Sequence, residues 1–332
     1  MTQFIRSIAV LLLSAGLIHG ACAQAITGKG FLPDENGTNL DDPQAKKMAP
    51  SAGVTSASLI KDCPECPEMV VIPAGSFVMG SSEQEANSAG MNSLQASRES
   101  PQHYVRVTNF AAGRYAVTKG EFAAFVLSTG YRNEQSEGCY LRKGDRWKKD
   151  SANNWRNVGF AQADDHPVVC VSWNDAQAYI QWLNRISGKR YRLLSEAERE
   201  YATRGGMQTA FWWGDSATTS QANYNGQDTY NGSLKGEYRQ ATMSVSSFSA
   251  NPFGLYNVHG NVFEWTQDCW HENFTGAPTD GVAWMTGCTG NYRVVRGGSW
   301  AISSGYLRSA YRSQWTPESK FDYVGFRLAR DL

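Results

Sequence analysis

Short apolar runs broken by turn residues, rather than long periodic stretches, set the pattern of this chain. Met69-Val-Val-Ile72 enters the turn Pro73-Ala-Gly75, and Ser76-Phe-Val-Met79 ends on Gly80, which predicts two short strands arranged as a hairpin. Near the C-terminus Val294 and Val295 lead into Gly297-Gly298, while Val324, Phe326 and Leu328 alternate as a strand buried on one face does. Residues 296–327 therefore read as two strands joined by a polar loop. Helical signals are fewer. Thr118 and Glu121 form a capping box, with Phe122, Phe125 and Val126 following at helical spacing. Ser172 and Asp175 open a second helix carrying Ala176, Tyr179, Ile180, Leu183 and Ile186 on one stripe before Gly188, and Ser195 and Glu198 open a third that stops at Gly205-Gly206. From Phe211 onward, short strands and long Gly-, Asn- and Ser-rich connections dominate. The expected class is α+β, an irregular, loop-rich single domain without internal repeats.

The two ends differ from the body. Arg6, an apolar run from Ile8 to Ile18 and the small-x-small triplet Ala21-Cys22-Ala23 predict a signal peptide over residues 1–23, cleaved after Ala23. Lipidation of Cys22 is the alternative, which His19 and Gly20 fit less well. Residues 24–62 hold few large apolar side chains and many turn formers, and read as a flexible leader to a folded domain over residues 63–332. No later stretch approaches the ~20 apolar residues of a membrane-spanning helix. The expected location is periplasmic or secreted, hence oxidising.

Charge and cysteine usage narrow the partners. The chain has 31 Lys+Arg against 31 Asp+Glu, and cleavage removes only Arg6 from that balance. Near-neutrality without a basic cluster argues against nucleic acid. Of 7 Cys, Cys22 leaves with the signal peptide. The remaining Cys63, Cys66, Cys139, Cys170, Cys269 and Cys288 suggest disulfides in an exported chain. Cys63-Pro-Glu-Cys66 also has the spacing of a redox or zinc half-site, but no second CxxC or paired His follows, which favours a structural bridge. Proximity alone pairs Cys139 with Cys170 and Cys269 with Cys288.

Candidate chemistry lies in two stretches. In Gly254 to Trp265, Asn257 and Glu264 offer hard oxygen donors around a turn containing Gly260, which suits Ca²⁺; a structural Asn turn accounts for the same residues equally well. In the C-terminal loop, Trp300, Tyr306, Tyr311 and Trp315 either line a groove for an extended or aromatic ligand or fill the core. His103, His166, His259 and His271 form no HxxxH pair, and His166 reads as a turn residue ahead of a catalytic base.

MVVIPAGSFVMG from Met69, YAVTKGEF from Tyr115, HPVVCVSW from His166, YRLLSEAE from Tyr191, the stretch from Gly254, RGGSW from Arg296 and GFR from Gly325 resemble, in order, the formylglycine-generating enzyme, or sulfatase-modifying factor, family. The resemblance covers nearly everything after residue 67 and implies a single domain related to the C-type lectin fold. It implies one structural Ca²⁺ at Asn257, Gly260, Val262 and Glu264, and a second near Asn223, Tyr224, Glu237 and Arg239 with Glu99 as a further ligand. Oxidase members of the family bind Cu(I) through two cysteines just after RGGSW and use O₂ to convert a substrate cysteine to formylglycine. Ile302 and Leu307 stand at those positions here, and neither replaces a soft thiolate, so copper is not expected.

Two readings of different class follow from the resemblance. One is an exported, oxidoreductase-like, non-copper factor modifying a peptide or secondary metabolite, similar to the family branch that matures the pyoverdine siderophore chromophore. The other is a non-enzymatic ligand- or protein-binding module, as in C-type-lectin-like relatives such as the variable proteins of diversity-generating retroelements. In either, Ser299, Trp300, Tyr306, Arg308, Tyr311, Arg312 and Trp315 would form the ligand groove.

Overall fold

The computed structural model describes residues 58–89, 91–132, 138–143 and 146–332. The expected signal peptide, and the leader up to residue 57, lie outside the described residues. The five α-helices described are each opened by a side chain that accepts from a first-turn amide: α1 (Glu83–Ser88) by Ser82, α2 (Ser93–Arg98) by Asn92, α3 (Lys119–Thr129) by Thr118, α4 (Trp173–Ser187) by Ser172 and α5 (Glu196–Arg204) by Ser195. In α3, α4 and α5 the acid at the third helical position returns a bond to the cap amide, and each ends on a left-handed glycine, so these three coincide with the predicted helices. The short α1 and α2 are additions.

In chain order the strands are β1 (Leu59–Ile60), β2 (Met69–Ile72), β3 (Gly75–Met79), β4 (His103–Val107), β5 (Phe110–Gly113), β6 (Cys139–Lys143), β7 (Arg146–Asp150), β8 (Tyr191–Leu193), β9 (Phe263–Cys269), β10 (Arg293–Arg296), β11 (Arg312–Trp315), β12 (Val324–Phe326) and β13 (Leu328–Arg330). They form a five-stranded sheet β1-β2-β5-β13-β8, a four-stranded sheet β11-β10-β9-β12, and the pairs β3-β4 and β6-β7. Together with five helices this is the α+β class.

Three local expectations are corrected. β2 and β3 are not a hairpin: Pro73 has no N–H to give a ladder and its carbonyl accepts from the Tyr201 hydroxyl at 3.1 Å, so the link diverts β3 onto β4, with Gly75 opposite Val107. Leu59 and Ile60, assigned to the leader on composition, pair with Val70 and Met69 as an edge strand. Val324, Phe326 and Leu328 are all buried, but in two strands of different sheets. β12 runs parallel to β9, the chain changes sheet at Arg327, and β13 inserts antiparallel between β5 and β8.

The main core lies where α3 and α4 cover the sheets, with Phe122, Phe125, Tyr179, Trp182, Trp265 and Phe326 in contact. A second cluster joins Val70, Ile72, Phe77, Val105, Phe110 and Tyr201 beneath α5. Between α5 and β9 the only strand-like pairing described is the Phe211–Gly214 bridge. Side chains order that segment instead: Asn223 Nδ2 donates to the Ala241 carbonyl at 2.9 Å and to Asn261 Oδ1 at 3.1 Å, and Asn261 Oδ1 also accepts from the Met243 amide. Cys63–Cys66, Cys139–Cys170 and Cys269–Cys288 are bonded, the pairing that proximity gives.

Candidate functional site

The loop after RGGSW begins inside the protein. Ser299 is completely buried, and its Oγ accepts from the Ala301 amide. Trp300 is a core residue, edge-on to Phe160 with ring centroids 5.5 Å apart and donating from Nε1 to the Asp322 carbonyl at 3.1 Å. Of the two positions that the resemblance aligns with copper thiolates, Leu307 is fully buried among Phe211, Tyr224 and Tyr230, and Ile302 packs against the same cluster. Behind them, His259 Nδ1 donates to the Leu307 carbonyl at 2.7 Å, and Nε2 accepts from the Trp212 amide at 3.2 Å. Burial first, with the Arg199 and Arg204 charges adding, takes the His259 pKa down to about 3, so its ring is neutral.

The two arginines of the loop are also internal. Arg308 is 1 % exposed; it donates to both Glu99 oxygens, at 2.8 and 2.7 Å, to Glu85 at 2.9 Å and to the Gly305 carbonyl. Burial opposes its charge, but the two carboxylates outweigh it and raise its pKa further. Arg312 grips Glu196 through Nε and Nη2 at 2.7 and 2.8 Å and lies 4.4 Å over the Trp270 and Phe274 rings. Trp315 is half-buried against Phe321, at 4.5 Å between centroids. Of the seven groove residues, Tyr306, Arg308 and Tyr311 meet at one concavity.

That concavity has a volume of about 290 Å³. Met91 and Gln95, from the α1–α2 segment, and Tyr230 complete its walls opposite Tyr306 and Tyr311, whose rings meet edge-on at 5.0 Å. Arg308 forms part of the lining, already neutralised by Glu85 and Glu99 and touching Met91 Sδ at 3.1 Å. Burial pushes the Tyr230 and Tyr311 phenols up to about 12, which keeps them protonated as donors and acceptors. Tyr306 is 38 % exposed at the rim. The arrangement suits a flat, hydroxyl-bearing or aromatic ligand. Met91, Gln95 and Tyr230 escaped sequence reading, although Asn92 and Gln95 spell the capping box that opens α2.

The two expected calcium sets differ in fit. In the first, Glu264 is 1 % exposed and already accepts from Arg199 Nε at 2.7 Å and from Arg327 Nε and Nη2 at 2.8–3.1 Å, on both of its oxygens. The Gly260 carbonyl accepts from the Val262 amide at 2.9 Å. Among the side-chain oxygens of this set only Asn257 Oδ1 lacks a partner, and the single carboxylate is spent on two guanidinium groups, so the residues present do not fit a cation needing six to eight oxygens. In the second, Asn223 is fully buried and its Oδ1 is unpartnered, while Glu237 is largely exposed and holds only Arg239, at 3.0 Å. Such a surface pair is weak and readily exchanged. The pairing of Gly226 with Gly236 and Glu237 brings the two ends of this set together. Glu99, the expected further ligand, is committed to Arg308 instead. Of the histidines, His166 bonds Thr242 through Nδ1 at 3.0 Å in its turn, and no cluster of three His, Cys, Asp or Glu suited to a metal occurs among the described residues.

Comparison with known proteins agrees with this architecture. The model of the sulfatase-modifying factor enzyme 1-like domain matches residues 55–332. The formylglycine-generating enzyme of Mus musculus is 35% identical, covering 80% of this chain and 75% of its own, and that of Thermomonospora curvata is 33% identical over 79% and 93%. Among solved structures, PvdO from Pseudomonas aeruginosa superposes with a TM-score of 0.67 at 37% identity, covering 84% of this chain and 99% of PvdO. Treponema denticola variable protein 1, at 21% identity and a TM-score of 0.56, shares the fold. With a family model spanning the described domain and relatives this similar over most of its length, the chain belongs to the sulfatase-modifying factor, or formylglycine-generating enzyme, family.

Proposed function

We propose that this protein is an exported, copper-independent modification factor of its family, acting oxidatively on a peptide or secondary metabolite as in siderophore maturation. The observation that carries this reading is the phenol-walled cavity at Tyr230, Tyr306 and Tyr311, set beside positions 302 and 307 where Ile and Leu replace the thiolates of the oxidases. Similarity to PvdO supports the substrate class. Three disulfides suit an oxidising compartment, and no helix among the described residues is long and apolar enough to cross a membrane. The chain's own contribution is to bind and orient: neutral phenols hydrogen-bond the ligand, and Arg308, held by Glu85 and Glu99, fixes the cavity wall. The substrate passes two electrons and two protons to O₂.

A structural calcium belongs, in this reading, to the second set. Asn223 Oδ1 and Glu237 would supply side-chain oxygens, and Tyr224 and Arg239 main-chain carbonyls, since the Tyr224 hydroxyl is engaged with Ala217 and a guanidinium is no ligand.

Gene deletion in the source organism tests the proposal. The exported metabolites should accumulate a precursor richer by two hydrogens, rescued by the wild-type chain and poorly by Tyr306→Ala. Unchanged profiles in the deletion strain would remove the enzymatic reading and leave a binding module.

A further inference from the structure

The arginines around Glu264 have a consequence for metal use. Arg199, in the middle of α5, sends Nε to Glu264 Oε2 at 2.7 Å and Nη2 to the Val258 carbonyl at 3.0 Å, and Nη1 reaches Thr203. Arg327, at the residue where the chain changes sheets, grips both Glu264 oxygens, and its Nη2 also donates to the Tyr256 carbonyl at 2.8 Å. Thus the carbonyls on either side of Asn257 and the one acid of the turn are all taken by guanidinium donors. Gly297 leaves the space this requires, because a Cβ there would lie 2.6 Å from Arg199 Nη2. All three charged side chains are almost wholly buried.

Electrostatics point the same way. One carboxylate between two guanidinium groups is already over-compensated, and a divalent cation beside it would meet net positive charge in a low-dielectric interior. Asn257 is anchored without a metal: Nδ2 donates to the Val245 carbonyl at 2.8 Å and to that of Ser244 at 3.4 Å. Its single spare amide oxygen is far short of a calcium coordination shell.

We infer that Arg199 stands in for a metal ion at the turn 257–264, so that this turn is built without calcium and any calcium the chain holds sits elsewhere. The inference rests on the contacts and charges of the turn and is independent of the proposed reaction. The second set, at Asn223 and Glu237, is unaffected by it.

The test uses the full chain dialysed against a chelator, then equilibrated with or without calcium. Bound calcium is measured by atomic emission and Tm by calorimetry, for the wild type, Asn257→Ala and Arg199→Met. Asn257→Ala leaves the Glu264 ion pairs in place, and it is expected to bind as much calcium as the wild type and to show the same calcium-induced change in Tm. Loss of one calcium per chain in Asn257→Ala, or of the calcium-dependent part of Tm, would overturn the inference. Arg199→Met frees the Val258 carbonyl and leaves Glu264 Oε2 to Arg327 alone. Its Tm should fall, and calcium should raise it by several degrees more than it raises the Tm of the wild type. A folded Arg199→Met with no such response would refute the stand-in role. Should this variant fail to fold, the Asn257→Ala comparison decides.

Discussion

Arg308 and Glu99, 209 residues apart in sequence, meet face to face through two hydrogen bonds inside the protein. The pair ties the loop after RGGSW to the end of α2, and Glu85 of α1 closes it from the side. Removing one partner strands a buried charge, which costs about 3–5 kcal/mol. Glu99→Gln is therefore expected to lower stability by about 3 kcal/mol, since Glu85 remains, and to weaken ligand binding in the adjoining cavity. Denaturant unfolding reads the first effect. A loss under about 1 kcal/mol would mean that the pair contributes little.

The disulfides should rank by the loop they close. Cys139–Cys170 spans 31 residues and Cys63–Cys66 only 3. On chain-entropy grounds their removal as Ser pairs costs about 3.5 and about 2 kcal/mol. Equal losses in urea melts would point away from the entropic account.

His259 gives a pH dependence of defined sign. Its folded pKa lies near 3, below the unfolded value of about 6.5, so the unfolded chain takes up the proton first. The stability this neutral histidine provides is complete above about pH 6.5 and is lost as pH falls toward 3. Measured against His259→Gln, wild-type stability should stay parallel at neutral pH and then drop faster, approaching about 1.4 kcal/mol per pH unit. Parallel curves down to pH 4 would contradict a buried neutral ring.

Copper reconstitution should not confer oxidase activity. Ile302 and Leu307 supply hydrocarbon where Cu(I) needs thiolate, and Leu307 packs against Tyr224 and Tyr230. A peptide carrying a substrate cysteine, incubated with copper and O₂, is expected to yield aldehyde only at the background of a protein-free control. Turnover above that level would sink the claim.

What the sequence made legible was what is encoded locally. The boxes Thr118/Glu121, Ser172/Asp175 and Ser195/Glu198 placed three helices because both halves of each signal lie within one turn. Cysteine pairs close in sequence were likewise readable. Long-range charge pairing was not. Arg308 and Arg312 look like surface residues of a polar loop, since nothing near them names Glu99, Glu196 or Trp270 as partners. Arg199 lies in a helix whose every residue is buried although its sequence, EAEREYATR, is mostly polar. A polar helix that opens within the YRLLSEAE match carries one available hint of such a lattice, because a helix so poor in apolar residues has no surface stripe to bury. The sheet change at Arg327 left no local signal, because Val324, Phe326 and Leu328 keep strand alternation straight through it.

That sheet change also constrains the order of events during synthesis. β13 lies between β5 and β8, and so bridges segments made more than a hundred residues before it, while β12 pairs with β9 in the other sheet. Neither sheet can close until the ribosome has released residues 324–330, and until then β5 and β8 present open edges to their surroundings. A nascent chain arrested before Arg327 would thus be an aggregation-prone species, and the time spent in that state is set by translation.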